Sequence, residues 1–266
     1  MKRLLITGAA GGLGSVMRRR LAPLAQVLRL SDIADMGPAA ANEEIVPCDL
    51  ADGAAVARLV EGCDGIVHLG GISVERSYGL IRAGNIDGVF NLYEAARAHG
   101  RPRIVFASSN HTVGFYRQEE RLTADMPTRP DGLYGVSKVF GEALAHMYHD
   151  KFGQESALVR IGSCTEKPLN HRMLSTWISP RDFASLIERV FSVPRLGCPV
   201  IWGISANAAG WWDNSHIGYL GWRPQDNAED WRSELDATVP RPAPDDPVAE
   251  FQGGVFTRDP IYAENG

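Results

Sequence analysis

The sequence of 266 residues has few cysteines, no excess of positive charge and no long hydrophobic run. Its four cysteines show neither the paired spacing of a metal site nor a disulfide framework, so we expect reduced thiols and a cytoplasmic protein. A formal net charge of −5 gives no reason to expect nucleic acid or an anionic membrane as a partner. No apolar run is long enough to span a bilayer. We therefore expect an ordinary globular chain with one large domain.

A glycine-rich segment near the N-terminus gives the first positive signal. It follows a short apolar strand, residues 2–7, and precedes a helical stretch, residues 15–24. Glycines at this point allow a tight turn and let backbone amides approach a pyrophosphate at the helix N-terminus. The order of strand, glycine loop and helix is the one that a dinucleotide-binding fingerprint requires. The predicted cofactor contacts in this loop are Gly8, Gly11, Gly12, Leu13 and Gly14.

Asp32 follows the predicted second strand, residues 26–30, and lies 18 positions after Gly14. A carboxylate there can accept hydrogen bonds from the ribose hydroxyls and would repel a 2′-phosphate. The basic run at residues 18–20 falls late in the first helix, where charges usually form a solvated face. The sequence therefore favours NAD over NADP.

Strand and helix patterns keep alternating after this point. Further strands are predicted at residues 44–48, 64–71, 103–107 and 156–161. This alternation is typical of an α/β protein with a doubly wound, Rossmann-type parallel sheet, whose ligands gather at the carboxyl ends of the strands. Asp49 can reach an adenine edge, can cap the following helix, residues 51–61, or can do both. The other predicted cofactor contacts at strand ends are Leu50, Leu69, Gly70, Gly71 and Cys164.

Tyr134 and Lys138 lie four residues apart in what reads as a long helix, so both side chains can point into one cleft. A cation near a tyrosine favours the phenolate and lowers its pKa from a reference value of about 10 toward neutrality. Such a pair can act as a general base. The spacing alone is weak, but polar residues 108–111 follow the fifth strand just upstream.

Taken together, the first 165 residues or so resemble the extended short-chain dehydrogenase/reductases, also called the NAD-dependent epimerase/dehydratase family. The motifs that carry the resemblance are Thr7-Gly8-x-x-Gly11-x-x-Gly14, His68-Leu69-Gly70-Gly71, Phe106-Ala107-Ser108-Ser109 and Tyr134-x-x-x-Lys138. The resemblance implies that Tyr134 is the catalytic acid/base and that Lys138 binds the nicotinamide ribose and lowers the tyrosine pKa. It implies that Ser109, in preference to Ser108, binds the substrate oxygen. The family usually has a Tyr-Gly pair after the serine, whereas this chain reads His111-Thr112-Val113-Gly114-Phe115, so the substrate side is expected to be specialised.

We divide the chain into an NAD-binding Rossmann domain, residues 1–165, a small substrate lobe with returning elements of the core, residues 166–238, and a proline-rich tail, residues 239–266. The nucleotide-sugar enzymes of the family need a larger C-terminal region to enclose their substrate, so a smaller substrate is expected here. Arg172 is the best candidate for holding an anionic group, because a guanidinium pairs bidentately with a carboxylate. A surface salt bridge is the alternative for Arg172, and Arg181 is a rival with a more structural character.

Within the family, the short chain, Gly70-Gly71-Ile72-Ser73-Val74 and the arginine after the sixth strand resemble the bacterial members that oxidise free hexuronic acids. This resemblance implies that Tyr134 removes the proton from the C1 hydroxyl of galacturonate or glucuronate while hydride passes to NAD, which yields an aldarolactone. Arg172 would hold the C6 carboxylate. The candidates for binding the sugar hydroxyls are Ser73, Asn110, His111 and Ser163.

Two other functions stay open at this point. One is an NAD-dependent epimerase or dehydratase of nucleotide sugars, and the other is a non-catalytic dinucleotide-binding regulator on the same fold. His111 could also serve as a second acid/base. A metal site is not expected, because His146 and His149 have no third ligand nearby in the sequence.

The tail is rich in proline, which prevents a regular helix, yet it offers Phe251, Phe256 and Tyr262 as hydrophobic anchors. We expect it to wrap its own domain or a neighbouring subunit of a homo-oligomer.

Overall fold

The computed structural model describes residues 1–264, so Asn265 and Gly266, the last two residues of the predicted tail, lie outside the described residues. Its centre is a seven-stranded parallel sheet with strand order β3-β2-β1-β4-β5-β6-β9, and a separate pair is formed by β7 and β8. The strands are β1 Arg3–Thr7, β2 Val27–Ser31, β3 Glu43–Ile45, β4 Gly65–His68, β5 Arg103–Ser109, β6 Ser156–Ile161, β7 Ser163–Cys164, β8 Trp177–Ile178 and β9 Val200–Gly203.

Helices connect the strands as crossovers. The α-helices are α1 Gly12–Arg20, α2 Gly53–Val60, α3 Tyr78–Ile81, α4 Gly88–Ala98, α5 Leu133–Phe152, α6 Met173–Thr176, α7 Pro180–Ser192, α8 Arg232–Thr238 and α9 Pro247–Glu250. A π-helical stretch, Arg82–Asp87, joins α3 to α4, and 3₁₀ turns lie at Ala22–Leu24, Asn110–Val113, Ser215–Leu220, Ala228–Trp231 and Gly254–Arg258.

Hydrophobic cores lie on both faces of the sheet, as its apolar strands require. On one face, Met17 of α1 and Phe183 of α7 are fully buried in one cluster. On the other face, Val56 of α2, Tyr93 of α4 and Tyr148 of α5 belong to a second cluster. The predicted doubly wound, Rossmann-type sheet is therefore confirmed. The strand order reverses between β1 and β4, and such a reversal leaves a crevice at the carboxyl ends of the strands.

Several predicted boundaries differ from the observed ones, each for a local reason. The first helix begins at Gly12 and ends at Arg20, after which Pro23 lies in a separate 3₁₀ turn. The second helix begins at Gly53, because Asp52 is its N-cap and accepts a hydrogen bond from Ala55 N. The prediction that Asp49 caps this helix is wrong.

Residues 166–238 contribute more to the sheet than the predicted lobe suggested. β9 pairs with β6 as the seventh strand, and α7 packs against the same core as α1. Proline at the start of α7 and the hydrogen bond from Asp182 N to the Ser179 hydroxyl define where this helix begins. Within residues 166–238, the stretch 170–175 and Trp211 are therefore what is left to shape a substrate pocket.

The tail lies on its own chain. Gln252 is fully buried, and its side-chain amide donates to the carbonyl oxygens of Arg117 and Glu120 and accepts from Trp212 Nε1. Phe251 packs edge to face on Phe115, with ring centroids 5.6 Å apart. Of the three expected anchors, Tyr262 is the one that stays exposed.

Candidate active site

A cavity of about 1580 Å³ opens at the carboxyl ends of the strands, where the strand order reverses. Its walls come from the glycine loop, the segments after β4 and β5, the start of α5 and the tail. Every predicted site residue lines this cavity except Asn110, which is buried behind the wall. A residue that lines the cavity is not thereby assigned a role, which depends on the contacts that its side chain makes.

The glycine loop leaves no room for a side chain at Gly8 or Gly14. Gly8 has a φ of +70°, and a Cβ built there would lie 2.7 Å from backbone atoms of Leu69 and Gly70. A Cβ on Gly14 would lie 2.0 Å from the carbonyl oxygen of Gly8. Thr7 ties the two strand ends together, since its hydroxyl accepts from Gly70 N at 3.2 Å and contacts His68 Nδ1 at 2.8 Å. This close-packed cradle fits the pyrophosphate of a dinucleotide.

Asp32 lies beside that cradle, just after β2. Its carboxylate accepts from Ala10 N at 3.0 Å and from Ala34 N at 3.1 Å, which orients it at the cavity wall. Arg18, from the nearby basic run, is bound to Glu43 and to the carbonyl oxygen of Met36 instead. The acidic group at the expected ribose position therefore has the charge that favours a ribose diol over a 2′-phosphate.

Tyr134 and Lys138 lie on one face of α5, and Lys138 Nζ lies 5.6 Å from the centre of the Tyr134 ring. Burial raises the pKa of Tyr134 to about 12, against the opposing effect of a hydrogen bond from Ser109. Burial also lowers the pKa of Lys138 to about 8. In the protein alone the pKa of Tyr134 is therefore raised and not lowered as expected, because burial disfavours the phenolate and the Asp131 carboxylate adds to this effect.

The two serines at the end of β5 have different partners. Ser108 donates to Glu142 Oε1 at 2.6 Å, and the Glu142 carboxylate is paired with Arg160 in a buried ion pair. Both serines line the cavity, but the Ser109 hydroxyl lies within hydrogen-bonding reach of Tyr134. The structure thus supports Ser109 over Ser108 as the hydroxyl that can meet a substrate oxygen.

Arg172 lies at the cavity wall across from the glycine loop. Its Nε donates to the carbonyl oxygen of Gln252 at 2.7 Å. With the Asn110 amide oxygen turned toward it, Nη2 donates to Asn110 at 2.6 Å, while the Asn110 nitrogen donates to Ile161 O at 3.2 Å. Burial lowers the pKa of Arg172 to about 10, with the Asp131 carboxylate opposing, so the guanidinium is charged at neutral pH.

These contacts decide between the alternatives for the two arginines. Arg172 makes no salt bridge within residues 1–264, so the surface salt-bridge interpretation is wrong and its charge is available to a ligand. Arg181 is exposed and pairs with Asp226, away from the cavity. Asn110, which was predicted to bind a sugar hydroxyl, contacts Arg172 and does not line the cavity. Asn110 therefore supports the guanidinium of Arg172.

Sequence reasoning missed several residues that position the site. Glu75 is buried and accepts from the backbone nitrogens of Leu133 and Tyr134, each at 2.9 Å, so it caps the N-terminus of α5. Asn85, in the π-helical stretch, bonds the Ile72 backbone and donates to the Ser137 hydroxyl at 2.9 Å. No pattern in the sequence signals these contacts of Glu75 and Asn85, because each partner is distant along the chain.

His111 and the tail meet over Tyr134. The imidazole stacks on Phe256 with centroids 3.7 Å apart, lies edge-on to Tyr134 at 5.8 Å, and contacts Asp131 through Nδ1 at 2.7 Å. Asp131 and Phe256 were not predicted site residues. The aromatic residues of the tail were a signal for Phe256, and no pattern in the sequence signalled Asp131.

His146 is exposed, with its Nε2 next to the carbonyl oxygen of Cys198. Within residues 1–264, no three His, Cys, Asp or Glu side chains are grouped as a metal site would require. Over the same residues, no helix has the length and apolar character needed to cross a membrane.

Comparisons with known proteins agree with the geometry. Residues 4–179 match the model of the NAD dependent epimerase/dehydratase family. The chain is 66% identical over 265 residues to a uronate dehydrogenase of Agrobacterium fabrum, with 100% of both chains covered. It is 54% identical to a uronate dehydrogenase of Pseudomonas putida, over 96% of this chain and 95% of that one. A solved structure of uronate dehydrogenase from Agrobacterium tumefaciens, a point mutant complexed with NAD, has a TM-score of 0.98 and 66% identity and covers 99% of this chain and 100% of its own.

Proposed function

The chain belongs to the NAD-dependent epimerase/dehydratase family, and on that premise we propose that it is an NAD-dependent dehydrogenase that oxidises free hexuronic acids at C1 to aldarolactones. The observation that carries this function is the position of the charged Arg172, which has no salt-bridge partner among residues 1–264, in the same cavity as Tyr134, Lys138 and Ser109. Galacturonate and glucuronate both carry the carboxylate and the anomeric hydroxyl that these groups would recognise.

NAD is the cofactor that the cradle fits. The glycine loop would hold the pyrophosphate, Asp32 would accept from the adenosine ribose, and Lys138 would bind the nicotinamide ribose. When bound, NAD supplies the hydride acceptor and a positive charge that favours the tyrosine phenolate. The remaining wall residues of the predicted set, Asp49, Leu50, Leu69, Gly70, Gly71 and Cys164, enclose the same part of the cavity.

Tyr134 acts as the general base. As phenolate it takes the proton from the C1 hydroxyl, which leaves that oxygen ready to form the lactone carbonyl as hydride departs from C1. Ser109 donates a hydrogen bond to the same oxygen and keeps it within reach of the phenol. Lys138 keeps a positive charge close to the phenolate that the buried site would otherwise disfavour.

Arg172 holds the C6 carboxylate and thereby sets which end of the sugar faces Tyr134. Its Nε and Nη2 are anchored by the tail and by Asn110, so the guanidinium cannot swing away when the carboxylate arrives. Ser73, His111 and Ser163 line the space between these two ends and bind the sugar hydroxyls.

A screen of substrates with NAD tests this function, read by the absorbance of the reduced cofactor. We expect stoichiometric NADH from galacturonate and glucuronate and none from neutral aldoses. Turnover of a nucleotide sugar without net NADH, together with no reaction of free uronates, would instead support the epimerase alternative. That alternative is not favoured, because uronate dehydrogenases match this chain from end to end.

Two pairs of variants test the residue roles. Ser109→Ala should lower kcat by about 10²-fold or more, whereas Ser108→Ala should leave kcat nearly unchanged because its hydroxyl is bound to Glu142. Arg172→Ala should raise the KM for uronates strongly and leave NAD binding unchanged, whereas Arg181→Ala should change neither. An unchanged KM in Arg172→Ala would show that another group holds the carboxylate.

We also propose that the protein is a cytoplasmic homo-oligomer. The tail packs on its own chain and so gives no support for assembly. However, α5 exposes an apolar stripe of Val136, Ala143 and Met147, and the neighbouring helix α4 exposes Phe90. Exposed apolar stripes of this kind mark association surfaces. Sedimentation of the wild type and of Val136→Lys tests this, since the charged variant should dissociate if the stripe is the interface.

A further inference from the structure

A buried carboxylate lies beside the substrate side of the cavity and has no place in the mechanism above. Asp131 precedes α5, three residues before Tyr134, and its side chain is fully enclosed. Among the residues that the structure describes, His111 Nδ1 is its hydrogen-bonding partner, at 2.7 Å from Oδ2. Burying a carboxylate is unfavourable by several kcal/mol unless neighbouring groups compensate, so its position calls for a reason.

Two glycines make the room for this carboxylate. A Cβ on Gly114 would lie 1.9 Å from Asp131 Oδ2, and a Cβ on Gly253 would lie 2.0 Å from the same atom. These glycines belong to different segments, which are joined by a hydrogen bond of 2.8 Å from Gly253 N to Gly114 O. The loop after β5 and the tail therefore close over Asp131 together, and neither segment could do so with a larger residue.

The contact with Asp131 determines which nitrogen of His111 carries the proton. A carboxylate accepts hydrogen bonds, so Nδ1 is the donor, and a neutral imidazole then keeps a lone pair on Nε2. The ring itself is fixed by stacking on Phe256, and the His111 backbone nitrogen donates to the Ser109 hydroxyl at 3.2 Å. Since His111 lines the cavity, it presents a hydrogen-bond acceptor there.

We propose that Asp131 is a positioning residue that holds His111 as the Nδ1-protonated tautomer, so that Nε2 accepts a hydrogen bond from a hydroxyl of the sugar acid. This inference rests on the proposed function. A pyranose sugar acid offers hydroxyl donors at C1 to C4, and only an imidazole nitrogen with a free lone pair can accept from them. The opposite tautomer would present an N–H at Nε2, which can donate but not accept. Asp131 acts through the imidazole and does not touch the substrate.

Asp131 also places a negative charge near Arg172, and this second effect must be separated from the first. Removing the charge alone should strengthen the binding of a uronate carboxylate, because a like charge leaves the pocket. Loss of the tautomer should weaken binding by up to about tenfold, the effect of losing the one hydrogen bond that Nε2 accepts from the sugar. The electrostatic effect does not depend on His111, but the positioning effect does.

A double-mutant cycle with Asp131→Asn and His111→Ala separates the two effects. We expect Asp131→Asn to raise the KM for galacturonate by up to about tenfold more when His111 is present than in the His111→Ala background, while kcat changes little. An equal change in both backgrounds would overturn the proposal and leave Asp131 a structural or purely electrostatic role. Asp182→Asn is the matched control. Asp182 is equally buried, but it is bonded to Ser205 and to the backbone at residues 225 and 226, away from the cavity. The Asp182→Asn variant should therefore have a lower thermal stability and an unchanged KM.

The tautomer can also be observed directly in the wild-type protein, which keeps the test valid if Asp131→Asn fails to fold. Nitrogen-15 NMR of protein labelled at histidine distinguishes Nδ1–H from Nε2–H. We expect His111 as Nδ1–H, and an Nε2–H signal would refute the proposal. NADH formation from uronates by the wild type is measured in the same samples, so a failure of the proposed function is seen separately from a failure of the positioning role.

Discussion

Gln252→Leu should uncouple substrate binding from cofactor binding. The glutamine is fully buried, and its side chain makes three hydrogen bonds that join the tail to the loop around residues 117–120 and to Trp212. Leucine is close in size but makes none of them. Trp212 Nε1, which is buried, would be left unpaired at a cost of about 1–3 kcal/mol, and each bond to a more exposed carbonyl is worth about 0.5–1.5 kcal/mol. These losses sum to about 2–6 kcal/mol and weaken the docking of the tail by that amount.

The tail carries the carbonyl oxygen of Gln252 that holds Arg172 Nε, and it carries Phe256, which stacks on His111. Undocking therefore removes two supports of the substrate side and none from the glycine loop. Because each 1.4 kcal/mol is a factor of ten in an equilibrium constant, we expect the KM for galacturonate to rise by about tenfold or more. The affinity for NADH, measured by fluorescence titration, should stay within about twofold.

Gln154→Leu is the matched control. Gln154 is also fully buried, and its amide donates to the carbonyl oxygens of Pro102 and Glu155 at the amino ends of the strands, opposite the cavity. This variant should lower the midpoint of urea unfolding and leave KM unchanged. The reasoning is refuted if Gln252→Leu binds uronates normally, or if the control raises KM to the same extent.

Three further predictions follow from single contacts. Asp32→Ala should raise the KM for NAD by roughly tenfold and allow measurable turnover with NADP, because the carboxylate that repels a 2′-phosphate is gone; unchanged NADP turnover would count against this role. Glu75→Ala should destabilise the protein by about 1–2 kcal/mol in urea unfolding and also lower kcat, since one of the two capped nitrogens belongs to Tyr134; a loss of stability with normal kcat would limit Glu75 to a structural role. Burial lowers the pKa of His68 from 6.5 to about 3, so the unfolded state takes up this proton first and stability falls as the pH drops below 6.5. The free energy of unfolding changes by about 1.4 kcal/mol per pH unit in this range. Between pH 6.5 and 5 the wild type should therefore lose about 2 kcal/mol more of its unfolding free energy than His68→Gln. Equal losses in the two proteins would contradict the lowered pKa of His68.

The sequence predicted the cofactor half of the molecule well because its signals are local. A glycine loop between a strand and a helix specifies the course of the backbone, and a tyrosine four residues before a lysine specifies one face of a helix. Neither signal depends on residues that are distant along the chain. The family resemblance drawn from these motifs is confirmed by the match over residues 4–179. The choice of Ser109 over Ser108 came from alignment, and its physical reason, the bond from Ser108 to Glu142, is visible only in three dimensions.

The substrate half was predicted less completely because its parts come from distant segments. Glu75 caps α5 from 58 residues away, and Gln252 bonds the carbonyl of Arg117 from 135 residues away. No periodicity or spacing marks such pairs, since each is defined by the packing of two loops. The raised pKa of Tyr134 was not predicted for a related reason: the sequence shows the nearby lysine but not the burial that raises this pKa in the protein alone.

The docked tail also gives the site an order of assembly during synthesis. Residues 1–203 contain all seven strands of the sheet together with the glycine loop, Asp32, Tyr134 and Arg172, whereas Gln252 and Phe256 emerge from the ribosome about fifty residues later. Since chains fold from the N-terminus as they are made, a nascent chain can form the cradle for its cofactor before the substrate side closes. Proteolytic removal of the tail would return the mature protein to that earlier state, in which the dinucleotide site is built and the sugar site is open.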